Sequence, residues 1–235
     1  MQLFYNPNLT EGDSEISFEK DESRHMVKVL RKNVGDTLHL TNGKGYFFEA
    51  TLISTNPKQC IAQINSFKKE KPLPYSLHLA VAPTKLNDRF EWFLEKATEI
   101  GVSEITPIIC DHSERKVIKP ERYEKIIISA AKQSLKAYMP KLNDAISFSE
   151  FLTTSQLSEL NCIAHCEEIK KQSLKNIVKP SQDILLLIGP EGDFSVREIE
   201  EAIQSGFIPV TLGVSRLRTE TAAIVACHSV AFINE

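Results

Sequence analysis

The hydrophobic pattern of the chain changes character at FKKEKPLPY, residues 67–75, where a charge run gives way to two prolines. Before that point, short segments alternate apolar and polar residues: LFYN from Leu3, TLHLTN from Thr37, YFFEATLI from Tyr46 and QCIAQINSF from Gln59. A period of two sends successive side chains to opposite faces, so each segment predicts a half-buried strand. Turn residues such as Asn42-Gly43-Lys44-Gly45 separate them, and the set predicts a small antiparallel barrel. One helical stretch interrupts it, over residues 22–32.

After the Pro-containing stretch the pattern becomes strand then helix, repeated. LHLAVA, EITPII, NCIAHC, DILLLIG and IPVTLG alternate with helical periodicity near residues 87–100, 120–137, 149–159, 195–205 and 220–233. That alternation predicts an α/β domain with a mostly parallel sheet. Pro120 suits a first helical turn, where its missing N–H costs nothing, and Ser195 with Glu198 forms an S-x-x-E capping box. The chain therefore divides into a small β domain over residues 1–70 and an α/β domain over residues 74–235, with the charged, proline-containing segment as linker.

Composition narrows the class. At 42% hydrophobic and 25% charged, the 235 residues can bury a real core. The opening stretch turns polar by residue 6 and no apolar window approaches a membrane span, so a cytoplasmic protein with no membrane partner is expected. Five scattered cysteines fit reduced thiols better than a disulfide frame. A net charge of −3 excludes a generally basic nucleic-acid binder, so any RNA surface must be local. Two patches qualify on a helical wheel of about 100° per residue: Arg24, Lys28, Arg31 and Lys32 within an arc of roughly 100°, and Arg122, Lys125, Lys132 and Lys136 within roughly 80°. Each is a phosphate-tracking face or simply the solvated side of an amphipathic helix.

Two stretches carry candidate chemistry. In LLLIGPEGDFSVREIEEA, residues 185–202, a buried strand runs into a Gly-Pro-Glu-Gly turn and then a capped helix. Ligands of open α/β sheets bind at the carboxyl ends of strands, and glycines there let a ligand meet bare backbone. Gly189 and Gly192 are placed for that, although an ordinary tight turn has the same composition; the string is neither a dinucleotide fingerprint nor a phosphate loop. In TLGVSRLRTETAAIVACHSVAFI, residues 211–233, a strand ends at Gly213 and a loop carrying Arg216, Arg218, Thr219, Glu220 and Thr221 leads into a helix. Two glycine-marked strand ends followed by polar turns suggest one pocket; an Arg–Glu pair at a helix start is the plainer alternative.

These strings, LIGPEG and LGxxxLRTETAA, occur with EKATEIGVSEITPI, SER at residues 113–115, AAKQS at 130–134 and KVLRKNVGD at 28–36. Together and in this order they resemble the RsmE-type methyltransferases of the SPOUT superfamily, over essentially the whole chain. The resemblance implies a PUA-like RNA-binding barrel, then an α/β domain with a trefoil knot through which the protein forms a homodimer. It further implies S-adenosyl-L-methionine as cofactor and 16S rRNA of the small ribosomal subunit as partner, methylated at N3 of a uridine. The knot follows from the resemblance alone. By position, the cofactor loops fall on Leu187, Ile188, Gly189, Pro190, Glu191 and Gly192, and on Leu212, Gly213, Leu217, Arg218, Thr219, Glu220, Thr221 and Ala222, with the strand end at residues 163–166 as a third wall. Arg115 of the SER string joins the two basic patches as an RNA contact. Two departures stand out: Asp193 occupies a position that is usually glycine, and Lys132 and Lys136 stand in the basic helix where an E-Q-S-x-R pattern is common.

Methyl transfer from a sulfonium to nitrogen is a one-step displacement that needs alignment and dryness, with no metal required. Uridine N3 becomes a nucleophile only after losing its proton, with negative charge spreading onto O2 and O4. Arg218 is the candidate for stabilising that anion, and Glu220 or Glu191 for positioning or accepting the proton. The target base must be flipped or single-stranded. Cys162, His165 and Cys166 are spaced like soft ligands, but they read as a strand whose neighbours face opposite ways, so no metal is expected. Cys110, His112 and His228 read as packing, pocket-lining or interface residues, and Ser134 lacks a nucleophile-elbow motif. Two rival functions remain at this level: a non-enzymatic RNA-binding or ribosome-assembly protein of the same fold, and a related methyltransferase acting on tRNA.

Overall fold

The computed structural model describes residues 2–235. It resolves into two compact units: the chain up to Pro72 together with Ala131–Met139, and Leu73–Ala130 together with Pro140–Glu235.

The first unit contains β1 (Leu3–Tyr5), β2 (Glu15–Ser17), α1 (Lys20–Lys28), β3 (Thr37–Thr41), β4 (Tyr46–Asn56) and β5 (Gln59–Lys69), with the sheet ordered β1-β3-β4-β5-β2. Alternation does its work here. Leu38 and Leu40 of β3 and Phe48, Ala50 and Leu52 of β4 face one core with Phe4, Phe18 and Met26, while Thr37, Glu49 and Ile53 face outward. Two register shifts in the β4–β5 ladder, at Glu49/Ala50 and Leu52/Ser54, bend the long hairpin. One pairing departs from the expected antiparallel pattern: β1 runs parallel to β3.

The two helices that carry the basic patches stop earlier than their periodicity predicts, as does the stretch expected at residues 149–159, whose helix ends at Thr154. α1 ends at Lys28, and Arg31 takes a left-handed φ of 54°. The helix α3 (Pro120–Gln133) is followed by Leu135 at φ 55°, with the Lys136 N–H bonded to the Ala131 carbonyl, the closing bond of a left-handed helix end. Arg31, Lys32 and Lys136 therefore lie beyond the helices, and the wheel argument that grouped them holds only for Arg24 with Lys28 and for Arg122, Lys125 and Lys132.

In the second unit the remaining elements are β6 (Leu77–Val81), α2 (Asn87–Ile100), β7 (Glu104–Ile109), β8 (Lys141–Leu142), β9 (Ile146–Ser147), α4 (Phe148–Thr154), β10 (Leu160–Ala164), β11 (Gln172–Ser173), α5 (Leu174–Ile177), β12 (Ile184–Ile188), α6 (Val196–Gln204), β13 (Ile208–Thr211) and α7 (Thr219–Ile233). The sheet is ordered β11-β13-β10-β12-β6-β7-β8, β9 also pairs with β7, and each pairing is parallel. β12 sits near the middle with every residue of ILLLI buried, because parallel strands covered on both faces need apolar side chains throughout. Leu185 and Leu187 pack with Phe148, Phe194 and Phe207, and α7 packs on α2 and β6. Among the described residues no helix is long and apolar enough to cross a membrane.

Candidate functional site

The three neighbouring strands β13, β10 and β12 all end on the same side of the sheet, and a cavity of about 650 Å³ opens there. It is lined by Ala164, His165 and Cys166 after β10, by residues 188–191 and Asp193 after β12, and by the stretch from Val210 to Thr219 after β13, with Lys171 and Ala222 completing the wall. This is where open α/β sheets place their ligands.

Hydrogen bonds tie the loops to one another. The Thr219 hydroxyl donates to the Gly189 carbonyl at 3.0 Å, joining the loop before α7 to the loop after β12. Asp193 has a φ of 65°, a conformation open to Asp and Asn as well as glycine, and its carboxylate accepts from the N–H of Cys166 at 2.7 Å and of Phe194 at 2.9 Å. The residue that departs from the glycine pattern thus closes one wall of the cavity onto another. Glu191 accepts from the Lys85 N–H at 2.9 Å, and Arg115 donates to the carbonyls of Thr84 and Lys85 at 3.0 and 2.8 Å. Behind this, Ser195 and Glu198 form the capping box of α6, and Glu198 also accepts from the Asp111 N–H at 2.9 Å.

The sequence-derived residues separate on this geometry. Ile188, Gly189, Pro190, Glu191, Leu212, Gly213, Leu217, Arg218, Thr219 and Ala222 line the cavity. Leu187 does not; alternation along β12 turns it into the core. Gly192 lies against His112, whose ring Nδ1 is 3.0 Å from the Gly192 carbonyl, and neither Gly192 nor Thr221 belongs to the cavity lining. Packing gives Gly189 a reason of its own: a Cβ there would come within 3.0 Å of the Phe194 ring and 3.1 Å of its backbone nitrogen.

Among the charged candidates, Arg218 is exposed at the N-cap of α7 and its side chain has no partner among the described residues. Glu191 is exposed at the cavity. Glu220 is buried outside it, 3.8 Å from the Arg89 guanidinium, with its second carboxylate oxygen unpartnered. Of the proposed RNA contacts, Arg24, Lys28, Arg31 and Lys125 are exposed, and Lys32 and Lys136 are half-buried. Arg122 is ion-paired with Glu91, Lys132 sits 3.4 Å from Glu22, and Arg115 is spent on backbone carbonyls.

Sequence reasoning did not single out Lys171, marked Asp193 only as a departure from the glycine pattern, and placed His165 only within a general third wall. Lys171 donates to the carbonyls of His165 and Glu167 at 3.1 and 2.7 Å, holding the loop after β10 in shape. Burial, reinforced by Lys171, holds the His165 imidazole below its ordinary pKa, against the opposing pull of Asp193 and Glu167. Cys162 faces the core, where burial pushes its thiol up to about 12. Among the described residues no cluster of three His, Cys, Asp or Glu side chains converges as a metal site.

Family models match both parts of the chain: an RNA methyltransferase domain over residues 70–231 and an RNA methyltransferase PUA domain over residues 18–65. The chain is 35% identical to the ribosomal RNA small subunit methyltransferase E of Buchnera aphidicola from Acyrthosiphon pisum over 225 residues, 91% of this chain and 86% of that protein. Among solved structures, a probable rRNA-methyltransferase from Porphyromonas gingivalis superposes with a TM-score of 0.92 at 41% identity, covering 100% of this chain and 98% of the other. The ribosomal RNA small subunit methyltransferase E of Neisseria gonorrhoeae, solved bound to S-adenosyl methionine, gives 0.89 at 28% identity, covering 100% and 98%.

Proposed function

This chain belongs to the RNA methyltransferase family that includes ribosomal RNA small subunit methyltransferase E, and on that premise we propose that it methylates N3 of a uridine in 16S rRNA with S-adenosylmethionine as donor. The observation that carries the reading is the cavity at the ends of β13, β10 and β12. Its volume of about 650 Å³ lies within the usual range for small-molecule sites. Its apolar lining of Ile188, Val210, Leu212 and Leu217 suits a purine and a thioether, and its carboxylates and guanidiniums suit an amino-acid end. These residues fit the cofactor. When bound, it supplies the electrophilic methyl group.

The remaining work falls to the chain. The loops of residues 188–191 and 211–219 hold and orient, and the apolar strand ends exclude water, so that the reacting atoms meet aligned. Arg218, unpartnered at the cavity, places a planar cation where charge develops on the uracil oxygens. Glu191, a carboxylate that lines the cavity, accepts the N3 proton in this reading, whereas Glu220 acts from outside by anchoring the start of α7 to Arg89. The exposed cations Arg24 and Lys28 of α1, with Lys125 of α3, receive the RNA backbone. The reading also carries a trefoil-knotted second domain, a homodimer formed through it, and a cytoplasmic location.

The test is to incubate the protein and S-adenosylmethionine with small ribosomal subunits from a strain that lacks its own enzyme of this kind, then map methylated nucleosides by mass spectrometry. One new N3-methyluridine in 16S rRNA is expected. Methylation of tRNA instead, or tight RNA binding with no methyl transfer, overturns the reading in favour of a different substrate or a non-catalytic role.

A further inference from the structure

At the end of β10 the imidazole of His165 is only 7% exposed, lines the cavity, and leaves both ring nitrogens without a hydrogen-bond partner among the described residues. Buried polar atoms in native folds are almost always paired, and an exception calls for an explanation such as a ligand. The backbone around the ring is already in use: the His165 carbonyl accepts from Lys171 and the Cys166 N–H is taken by Asp193. What is left over is the ring itself, with one donor and one acceptor when neutral.

The setting narrows what it recognises. Ala164, the residue before it, is register partner to Ile188 on one side and Val210 on the other, so the strand ends beside the ring are apolar. Beside the ring, Lys171 and Asp193 are engaged in hydrogen bonds to the backbone, and Glu191, Arg216 and Arg218, the other charged groups able to meet an ammonium or a carboxylate, come from the other two loops. We propose that His165 is a recognition residue for the adenosine part of S-adenosylmethionine, its ring giving one hydrogen bond to and taking one from the nucleoside's uncharged polar groups. This deepens the cofactor assignment above and rests on it. Burial and Lys171 act against protonation while Asp193 and Glu167 act for it, and the balance keeps the ring in the form that can both donate and accept.

Calorimetry with S-adenosylhomocysteine and with 5′-methylthioadenosine, which lacks the amino-acid end, tests the assignment on wild type, His165→Phe and His165→Gln. Phe removes both polar atoms and should weaken the two ligands alike, by about 3- to 10-fold. Gln restores a donor and an acceptor and should recover most of the loss. Wild-type affinity should fall as pH is lowered through the imidazole titration, and the Gln variant should not follow it. The ¹⁵N signals of the His165 ring should move on saturation with either ligand, a readout on the unmutated protein that decides the matter even if the Phe variant does not fold. Wild-type affinity in His165→Phe, a loss confined to S-adenosylhomocysteine, or ring signals unmoved by methylthioadenosine each overturn the proposal. A wild-type protein that binds neither ligand overturns the cofactor assignment itself.

Discussion

The hydroxyl of Thr219 and the carbonyl of Gly189, thirty residues apart in sequence, are joined by a buried 3.0 Å hydrogen bond. The bond connects the two polar loops that line the cavity, and it leaves a mark that can be measured. Thr219→Val keeps the shape but strands the Gly189 carbonyl, which should cost about 1–3 kcal/mol in urea denaturation and weaken S-adenosylhomocysteine in parallel. Thr219→Ser should restore both. Equal stability of the Val variant and wild type would show that the bond carries no weight.

Asp193 combines a left-handed backbone with two accepted N–H bonds, so its substitutions should rank in a particular order. Asp193→Ala loses both bonds and strains φ, and should be worst. Asp193→Gly relaxes the backbone but still loses the bonds, and should be intermediate. Asp193→Asn keeps an acceptor oxygen and tolerates the conformation, and should be mildest. Thermal midpoints together with ligand affinity check the ranking; a Gly variant more stable than wild type would mean that the carboxylate bonds contribute less than the backbone strain.

Arg218 is predicted to act on the reacting base. Its side chain has no partner to lose, so Arg218→Ala and Arg218→Lys should fold as wild type does, and both are compared with it at saturating cofactor. Both should lose about 10² to 10³ in single-turnover rate, because Lys retains charge without the planar fork. Near-normal turnover in Arg218→Lys would reduce the residue's role to charge alone.

Arg24 and Lys28 stand exposed on α1. Replacing both by Glu should weaken RNA binding and shallow its dependence on salt, since fewer counterions are released, while S-adenosylhomocysteine affinity stays put. Filter binding across a salt series, alongside calorimetry, separates the two effects. An unchanged salt slope would take α1 out of the RNA surface.

His78 is held below its ordinary pKa chiefly by burial, with Lys141 adding to the effect and Glu104 opposing it, and its Nε2 lies 2.7 Å from the Thr106 hydroxyl. A histidine kept neutral in the fold binds its proton more readily when unfolded. Stability linked to it is therefore complete above the unfolded value near 6.5 and is lost as pH falls from there toward the depressed folded value. The urea midpoint of the ligand-free protein should drop between about pH 7.5 and 5.5. His165 contributes in the same direction, and His78→Gln should flatten only part of the slope. A slope that the substitution leaves intact would assign the effect elsewhere.

Much of this architecture is legible in the sequence where a pattern is long enough to have a period. ILLLI reads as a central parallel strand and YFFEATLI as a half-buried one because burial on two faces or one dictates those compositions. The helix ends were harder to read: Arg31 and Leu135 turn the chain through left-handed conformations without the glycine that usually signals such a stop. Strands of two residues, such as β11, have no period to detect. At the site, LIGPEG and LRTET are contiguous strings and point to the two main loops. Asp193 directly follows LIGPEG and stands out there only as a missing glycine, His165 falls within the third wall at residues 163–166, and Lys171 carries no signal; the closing of β10 between β12 and β13 brings the three to one cavity. Gly189 shows the converse: its motif is plain, but its close approach to Phe194 is a contact that sequence spacing does not display.

The cross-loop bonds, Thr219 to Gly189, Cys166 to Asp193 and Lys85 to Glu191, leave residues 212–217 as the stretch of cavity wall without such a tie among the described residues. The Thr211 hydroxyl bonds only locally, to Gly213, and Val214 is fully exposed. Thermodynamics and kinetics are thereby divided between parts of one wall. The tied loops meet their ordering cost during folding, so they favour affinity. The untied stretch meets its ordering cost on binding instead, so substitution of the exposed Val214 is expected to change the dwell time of a bound molecule more than its grip on the tied loops.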